Sequence, residues 1–269
     1  MVPVPSSLAG FDPDVGVLMT PRPITVSSEQ PIEAAASLMN SCRVRHLPVV
    51  DIALAGILSL RDVAGAPDRA LVAAAMTRKV EVVSPATPLS AACERMLVQR
   101  FSCLPVVENG RLVGIFTATD ALGFAITALE GDKREDGGPT AAQLMTARPL
   151  VLADPTETLH SAWARMRSAR VRHLPVMRGN TIAGILSDRD LLAAGRQWLG
   201  NAAAAGRRVM LVADAMSTRV STIDGDSRAL EGARTLLRRR IGALPVLHGG
   251  ELRGMLTVTD FLYWIVAQA

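Results

Sequence analysis

Four copies of one phrase run through this chain, and internal repetition on that scale fixes an architecture before any single residue does. Gly56-Ile-Leu-Ser59-Leu-Arg-Asp62 returns as Gly114-Ile-Phe-Thr117-Ala-Thr-Asp120, as Gly184-Ile-Leu-Ser187-Asp-Arg-Asp190 and as Gly254-Met-Leu-Thr257-Val-Thr-Asp260. The glycines lie 58, 70 and 70 residues apart. A Leu-Pro-Val precedes each copy, beginning at Leu47, Leu104, Leu174 and Leu244. Each repeat opens with a Met and a hydroxyl residue: Met19-Thr20, Met76-Thr77, Met145-Thr146 and Met216-Ser217.

Local patterning assigns elements to the repeat. In the second copy, Val80 to Val83 predicts a short strand. Thr87-Pro-Leu-Ser predicts a helix start, with the Thr87 hydroxyl as cap and Pro88 at the first helical position. Leu89, Ala92, Cys93, Met96 and Leu97 then fall on one helical face. Cys103 to Val107 predicts a second strand, with Pro105 at an edge or a bulge. Asn109-Gly110 signals a hairpin turn, Arg111 to Phe116 a third strand, and Thr117 the start of a second helix. The third repeat matches, with Thr156 to Ala169 as its first helix and Gly179-Asn180 at the turn, and the fourth has Gly249-Gly250. The first offers no turn glycine in Asp51-Ile-Ala-Leu54.

The expected fold is therefore α+β, four β-α-β-β-α units. A unit of roughly 60 residues buries too little surface to be comfortable alone. The 269 residues correspond to about two domains. Pairing of neighbours is expected: 1–129, with repeats at about 15–66 and 72–129, and 140–269, with repeats at about 141–196 and 209–269. The charged, glycine-rich stretch 130–139 is the expected linker. Gly200 to Gly206 is a loop or an extra helical turn inside the second pair.

Composition narrows the function. The chain is 49% apolar but only 3% aromatic, so Ala, Val and Leu must fill the core, and base-stacking platforms for single-stranded nucleic acid are not expected. A net charge of +4 suits anionic small molecules and points only weakly to nucleic acid. Cys42, Cys93 and Cys103 are odd in number without metal-type spacing, and read as reduced thiols. Met1 to Gly10 lacks a basic-then-apolar leader pattern, and Phe261 to Ala267 is too short to span a bilayer, so a cytoplasmic location is expected. His160 and His248 stand isolated. There is no nucleophile with a paired base, no Walker loop and no dinucleotide fingerprint, so no enzyme activity is expected.

The chemistry concentrates at Ser/Thr-x-x-Asp. One reading is a capping box, in which hydroxyl and carboxylate satisfy the orphan amides of a helix start. The other is a ligand site. A helix start at the end of a strand attracts anions, a hydroxyl there can donate to phosphate, and a carboxylate one turn in can accept both hydroxyls of a ribose. The preceding glycine either clears the approach for a ligand or serves a bulge or tight packing.

These residues resemble the cystathionine-β-synthase (CBS) domain: Met-Thr, the early strand, Leu-Pro-Val and Gly-apolar-apolar-Ser/Thr-x-x-Asp, repeated from Val15 to Ala269. The resemblance implies pairs of domains packed by their sheets into Bateman modules, which bind adenosine nucleotides and regulate a partner. Four such domains are similar in layout to the γ subunit of AMP-activated protein kinase, where two modules form a disc. It further implies that Asp62, Asp120, Asp190 and Asp260 hold ribose hydroxyls, and that Ser59, Thr117, Ser187 and Thr257 touch phosphate. The implied ligand is ATP, ADP or AMP, with no metal other than magnesium travelling with the nucleotide. The implied partners are those nucleotides and either a regulated protein or a second copy of the chain, with no nucleic acid and no membrane.

The repeats also alternate in charge. The first and third carry Arg43-Val-Arg45-His46 and Arg170-Val-Arg172-His173, with Arg61 and Arg189 before the Asp. The second and fourth carry Ser102-Cys103 and Gly242-Ala243, with Thr119 and Thr259 before the Asp. Arginine binds phosphate oxygens in planar, bidentate fashion. A shared basic centre that gathers phosphates competes here with solvated helix ends. Two further functions stay in play: a scaffold that dimerises without ligand, and nucleic-acid binding through the positive balance. Arg238-Arg239-Arg240 suits a helix C-terminus, Met39, Met96 and Met166 suit core positions, Trp163 packs, and Trp198 is undecided.

Overall fold

The computed structural model describes residues 11–67, 69–131, 138–147, 149–194 and 209–269. The first stretch holds α1 (Val15–Leu18), β1 (Thr20–Pro21), α2 (Ile32–Cys42), β2 (His46–Val50), β3 (Leu54–Ser59) and α3 (Leu60–Gly65). There follow α4 (Val72–Ala75), α5 (Leu89–Gln99), β4 (Cys103–Glu108), β5 (Arg111–Thr117) and α6 (Ala118–Gly131). The third repeat contains α7 (Ala141–Leu144), β6 (Thr146–Ala147), α8 (Leu159–Ser168), β7 (His173–Arg178), β8 (Thr181–Ser187) and α9 (Asp188–Ala193). The last has α10 (Val212–Ala215), β9 (Ile223–Asp224), α11 (Ala229–Arg239), β10 (Ala243–His248), β11 (Glu251–Thr257) and α12 (Val258–Gln268).

The α+β expectation holds. Each repeat is a helix, an antiparallel hairpin and a closing helix. Each hairpin aligns Leu-Pro-Val with the apolar pair after the glycine, as in Leu47↔Leu58 and Val49↔Gly56, and slips register one residue later. The proline is tolerated because the residue opposite it turns its backbone groups the other way. Ile57, across from Pro48, exchanges both hydrogen bonds with Thr77, and Ile185, across from Pro175, does so with Ser217. No ladder bond is lost to the missing N–H. Pro105 accordingly lies in the outer strand of its sheet, ordered β1-β5-β4.

The first helices bury one stripe each, Ile32, Ala35 and Met39 on α2 and Leu89, Ala92, Cys93 and Met96 on α5. Met166 and Trp163 do the same on α8, with the Arg167 guanidinium 5.8 Å from the Trp163 ring centroid. Three first helices end on an arginine cap in left-handed conformation, Arg43, Arg100 and Arg240, and Arg170 takes the same conformation just after α8.

Four local expectations shift. Val80 to Val83 forms a single parallel bridge, Val83↔Val106, instead of a strand. Helix α5 starts one residue late, with Pro88 at the cap, because the Thr87 hydroxyl accepts from the Ser84 amide. Helix α8 starts at Leu159 with a Thr158 cap, because Thr156 is held in a turn by Asp154. Helix α6 reaches Gly131, inside the expected linker. The rest of that linker to Gly137, all of Gly200 to Gly206, Trp198 and Met1 to Gly10 lie outside the described residues.

The repeats exchange their openings. Met19-Thr20 pairs with β5 of the second repeat, and Met76-Thr77 pairs with β3 of the first. Met145-Thr146 pairs with β11 of the fourth, and Met216-Ser217 with β8 of the third. The same segments supply the carbonyls that accept the orphan amides at first-helix starts: Leu89 to Pro13, Ile32 to Ala70, Leu159 to Met210 and Ala229 to Pro139. That is why Pro31, Pro88 and Arg228 can stand at caps without a side-chain bond.

Two compact units result, and they interleave along the sequence. One comprises 1–24, 79–148 and 222–269, the other 25–78 and 149–221. The first joins the bodies of repeats two and four through α12 packed on α5 and α6, and α11 on α6. Its core is continuous, running through Leu104, Phe116, Leu244 and Phe261. The second joins the bodies of repeats one and three, where α3 packs on α9. Here each repeat keeps its own core, and Ala64 and Leu192 cross between them.

Candidate functional site

The four Ser/Thr-x-x-Asp turns have one geometry. Asp62 Oδ2 accepts from the Ser59 amide at 2.8 Å and its hydroxyl at 2.6 Å. Asp120 does so with Thr117 (2.7 and 2.7 Å), Asp190 with Ser187 (2.7 and 2.6 Å) and Asp260 with Thr257 (2.6 and 2.7 Å). The capping box is therefore formed in every copy, and one carboxylate oxygen is committed to it.

The second oxygen separates the copies. Asp260 Oδ1 accepts from the Thr146 hydroxyl at 2.9 Å, and Asp190 Oδ1 from the Ser217 hydroxyl at 3.3 Å. Asp120 receives the Thr20 hydroxyl. Asp62 is hydrogen-bonded only to Ser59 among the described residues. Thus the hydroxyl that opens one repeat reaches the acid that closes its neighbour. Burial raises the pKa of Asp120 and Asp260 from its ordinary value, against the lowering effect of their Thr donors.

The glycine serves packing. A Cβ on Gly56 would lie 2.7 Å from Met76 Sδ and 2.9 Å from the Thr77 carbonyl oxygen; one on Gly184 would lie 2.7 Å from Met216 Sδ. Gly114 and Gly254 make way for Met19 and Met145 in the same manner. Met, hydroxyl, Gly and Asp are one joint, assembled across two repeats.

In the unit built on repeats one and three, the basic residues gather. His46 stands opposite Ser59 in the hairpin ladder and His173 opposite Ser187. The carbonyls of Arg45 and Arg172 accept from the first amides of α3 and α9. Desolvation pushes the His46 pKa down to about 3, helped by Arg172 and Arg45, and His173 also falls to about 3, again mainly by desolvation. Both rings are neutral at pH 7. Arg61 Nη2 donates to the Val171 carbonyl at 2.9 Å, and Arg189 Nη2 returns the contact to the Arg43 carbonyl at 3.1 Å. Arg61 and Arg189 thus tie the two repeats together, a role beyond the expected one. Arg45 Nε is buried without a hydrogen-bond partner among the described residues.

Repeats two and four place Cys103 opposite Thr117 and Ala243 opposite Thr257, so their turns have no cation beside them in the ladder. Thr119 and Thr259 point to solvent as exposed residues. The residues of repeats one and three fit a phosphate-bearing nucleoside: a carboxylate oxygen open to a diol on Asp62, a hydroxyl, and an unpartnered guanidinium nitrogen. His248 is less isolated than its sequence position suggests. Its Nδ1 is 3.8 Å from Asp226, with Asp224 near, but all three are exposed.

A family model for the CBS domain matches residues 14–69, 72–126, 141–196 and 212–267. The chain belongs to the CBS domain family. Among solved structures, this four-CBS-domain chain is similar to protein MJ1225 of Methanocaldococcus jannaschii, described as a candidate archaeal homologue of g-AMPK, with TM-score 0.82, 21% identity, and 93% of this chain and 99% of that one covered. It is also similar to a conserved protein of Pyrococcus horikoshii, with TM-score 0.65, 24% identity, and 94% and 100% covered. The uncharacterized protein MJ1404 of M. jannaschii is 27% identical over 266 residues, 92% of this chain. The CBS chain spans 61% of that relative's length. No helix among the described residues is long and apolar enough to cross a membrane.

Sequence reasoning missed two features of these CBS domains. One is the set of opening hydroxyls on Asp120, Asp190 and Asp260, for which the constant Met-Thr/Ser was the available signal. The other is Asp188, buried at 7% exposure among the basic residues. Its signal was the lone charge in a column otherwise filled by Leu60, Ala118 and Val258.

Proposed function

We propose that this chain is a regulatory protein that binds adenine nucleotides, AMP, ADP or ATP, and passes the bound state to a partner protein or through its own assembly. Asp62 and Asp190 hold ribose hydroxyls, Ser59 and Ser187 touch phosphate, and Arg45, Arg172, His46 and His173 gather the phosphates, with Arg61 and Arg189 alongside. The observation that carries this reading is the ladder register that sets His46 beside Ser59 and His173 beside Ser187. It supports a phosphate contact shared by His46 and Ser59, and by His173 and Ser187, one helical turn before Asp62 and Asp190.

A ligand shifts such a protein only by its differential affinity for two states. Calorimetry with AMP, ADP, ATP, S-adenosylmethionine and cyclic di-AMP tests the reading. Micromolar binding of an adenylate by the wild type, lost in Arg45→Ala/Arg172→Ala, is expected. Equal affinity in both proteins would reject it. For repeats two and four a second reading is favoured, because Cys103 and Ala243 stand where repeats one and three have His46 and His173. Their sites are structural joints, or take a ligand without phosphate near the turn.

A further inference from the structure

Asp188 opens α9 where repeat one has the buried Leu60. Its Oδ1 is buried with no hydrogen-bond partner among the described residues. Arg45 Nε is in the same condition. A buried, unpaired carboxylate oxygen is costly, and Leu60 fills the equivalent place in repeat one without that cost. Stability therefore does not account for the acid. Its charge environment comes from both repeats: burial raises its pKa, and Arg45, His173, Arg172 and Arg61 together bring it below the ordinary carboxylate value. Asp188 is thus ionised at neutral pH, inside the group of cations proposed above to take phosphate. It makes no capping bond of its own, since Asp190 fills that role for α9.

We propose that Asp188 is the resident anion of the basic centre and the residue that sets its charge preference. With no ligand bound, its carboxylate offsets Arg45 and Arg172. A ligand phosphate takes over those guanidiniums against the repulsion of Asp188. The repulsion grows with the charge delivered to the centre, so Asp188 weakens ATP more than AMP and leaves adenosine untouched. This rests on the phosphate-site reading of Arg45 and Arg172.

The experiment is calorimetry on the wild type, Asp188→Asn and Asp188→Leu, the second being the residue repeat one already accommodates. The probes are AMP, ADP, ATP and inorganic pyrophosphate, with melting curves to confirm that each variant is folded. Asp188→Asn is expected to bind AMP roughly tenfold tighter, ATP by a larger factor, and pyrophosphate tighter as well. Weaker binding in both variants would assign Asp188 to orienting the arginines and overturn the proposal, as would unchanged affinity for every phosphate probe. Pyrophosphate separates the two claims. If the wild type ignores all adenylates while Asp188→Asn gains pyrophosphate affinity, the nucleotide reading falls and this one stands. If the wild type binds AMP and Asp188→Asn matches it, the reverse holds. Absence of binding by any probe to any variant overturns both.

Discussion

The joint between repeats can be weighed by adding one methyl group to each of its glycines. At Gly56 an added Cβ would stand 2.9 Å from the Thr77 carbonyl oxygen, and at Gly254 2.7 Å from the Thr146 carbonyl oxygen. Those are backbone atoms of a paired strand. Thr77 exchanges two 2.9 Å hydrogen bonds with Ile57, so the carbonyl cannot retreat without lengthening them. At Gly114 the three nearest atoms all belong to the Met19 side chain, which can rotate away. Overpacking of this kind costs about 1–3 kcal/mol. Gly56→Ala and Gly254→Ala should sit near the top of that range, and Gly114→Ala near the bottom. The assay is urea unfolding monitored by circular dichroism. Adding Met19→Ala should recover most of the Gly114→Ala loss, a coupling of about 1 kcal/mol in a double-mutant cycle. Met145→Ala should recover little in Gly254→Ala. Equal losses at the three glycines, or no coupling between Met19 and Gly114, would refute the packing role.

Acid should weaken the fold through its two neutral histidines. Their pKa is about 3 when folded against 6.5 unfolded, so the unfolded chain binds more protons between those values. The stabilisation is full above pH 6.5 and is lost as pH falls toward 3, at up to about 1.4 kcal/mol per pH unit for each ring. A urea midpoint that drops between pH 7 and 5.5 in wild type, but far less in His46→Gln/His173→Gln, is expected; parallel behaviour would contradict it. Arg100→Gly and Arg240→Gly should each stabilise by about 0.5–1 kcal/mol, because glycine adopts the left-handed cap without a Cβ penalty, which thermal melts can check. A thiol reagent should label exposed Cys42 in the native protein, while Cys93, buried and pushed up to about 12, should react only on unfolding.

Much of this structure was readable in the chain. Leu-Pro-Val, the Asn-Gly and Gly-Gly turns and the Met39 and Met96 stripes all depend on neighbours within one repeat, and they appear where local rules put them. The joint was not readable, because it is made between repeats: Met19 seats on Gly114, and Thr146 reaches Asp260. A repeat motif shows that such residues belong together without showing that they meet across copies. The one-residue error at α5 has the same origin, since the Pro13 carbonyl does the work a side-chain cap was expected to do. Grouping is the other limit. Charge alternation marked Arg45, His46, Arg172 and His173 as a set, and one compact unit holds all four. Asp188 was not singled out, since sequence shows charge but not burial.

A crystal structure of the protein with AMP would meet the central claim head-on. Density is expected with the ribose diol on Asp62 or Asp190 and the phosphate against Arg45 and Arg172. Ribose held on Asp120 or Asp260 with its phosphate directed to solvent, or AMP bound away from all four acids, would contradict it.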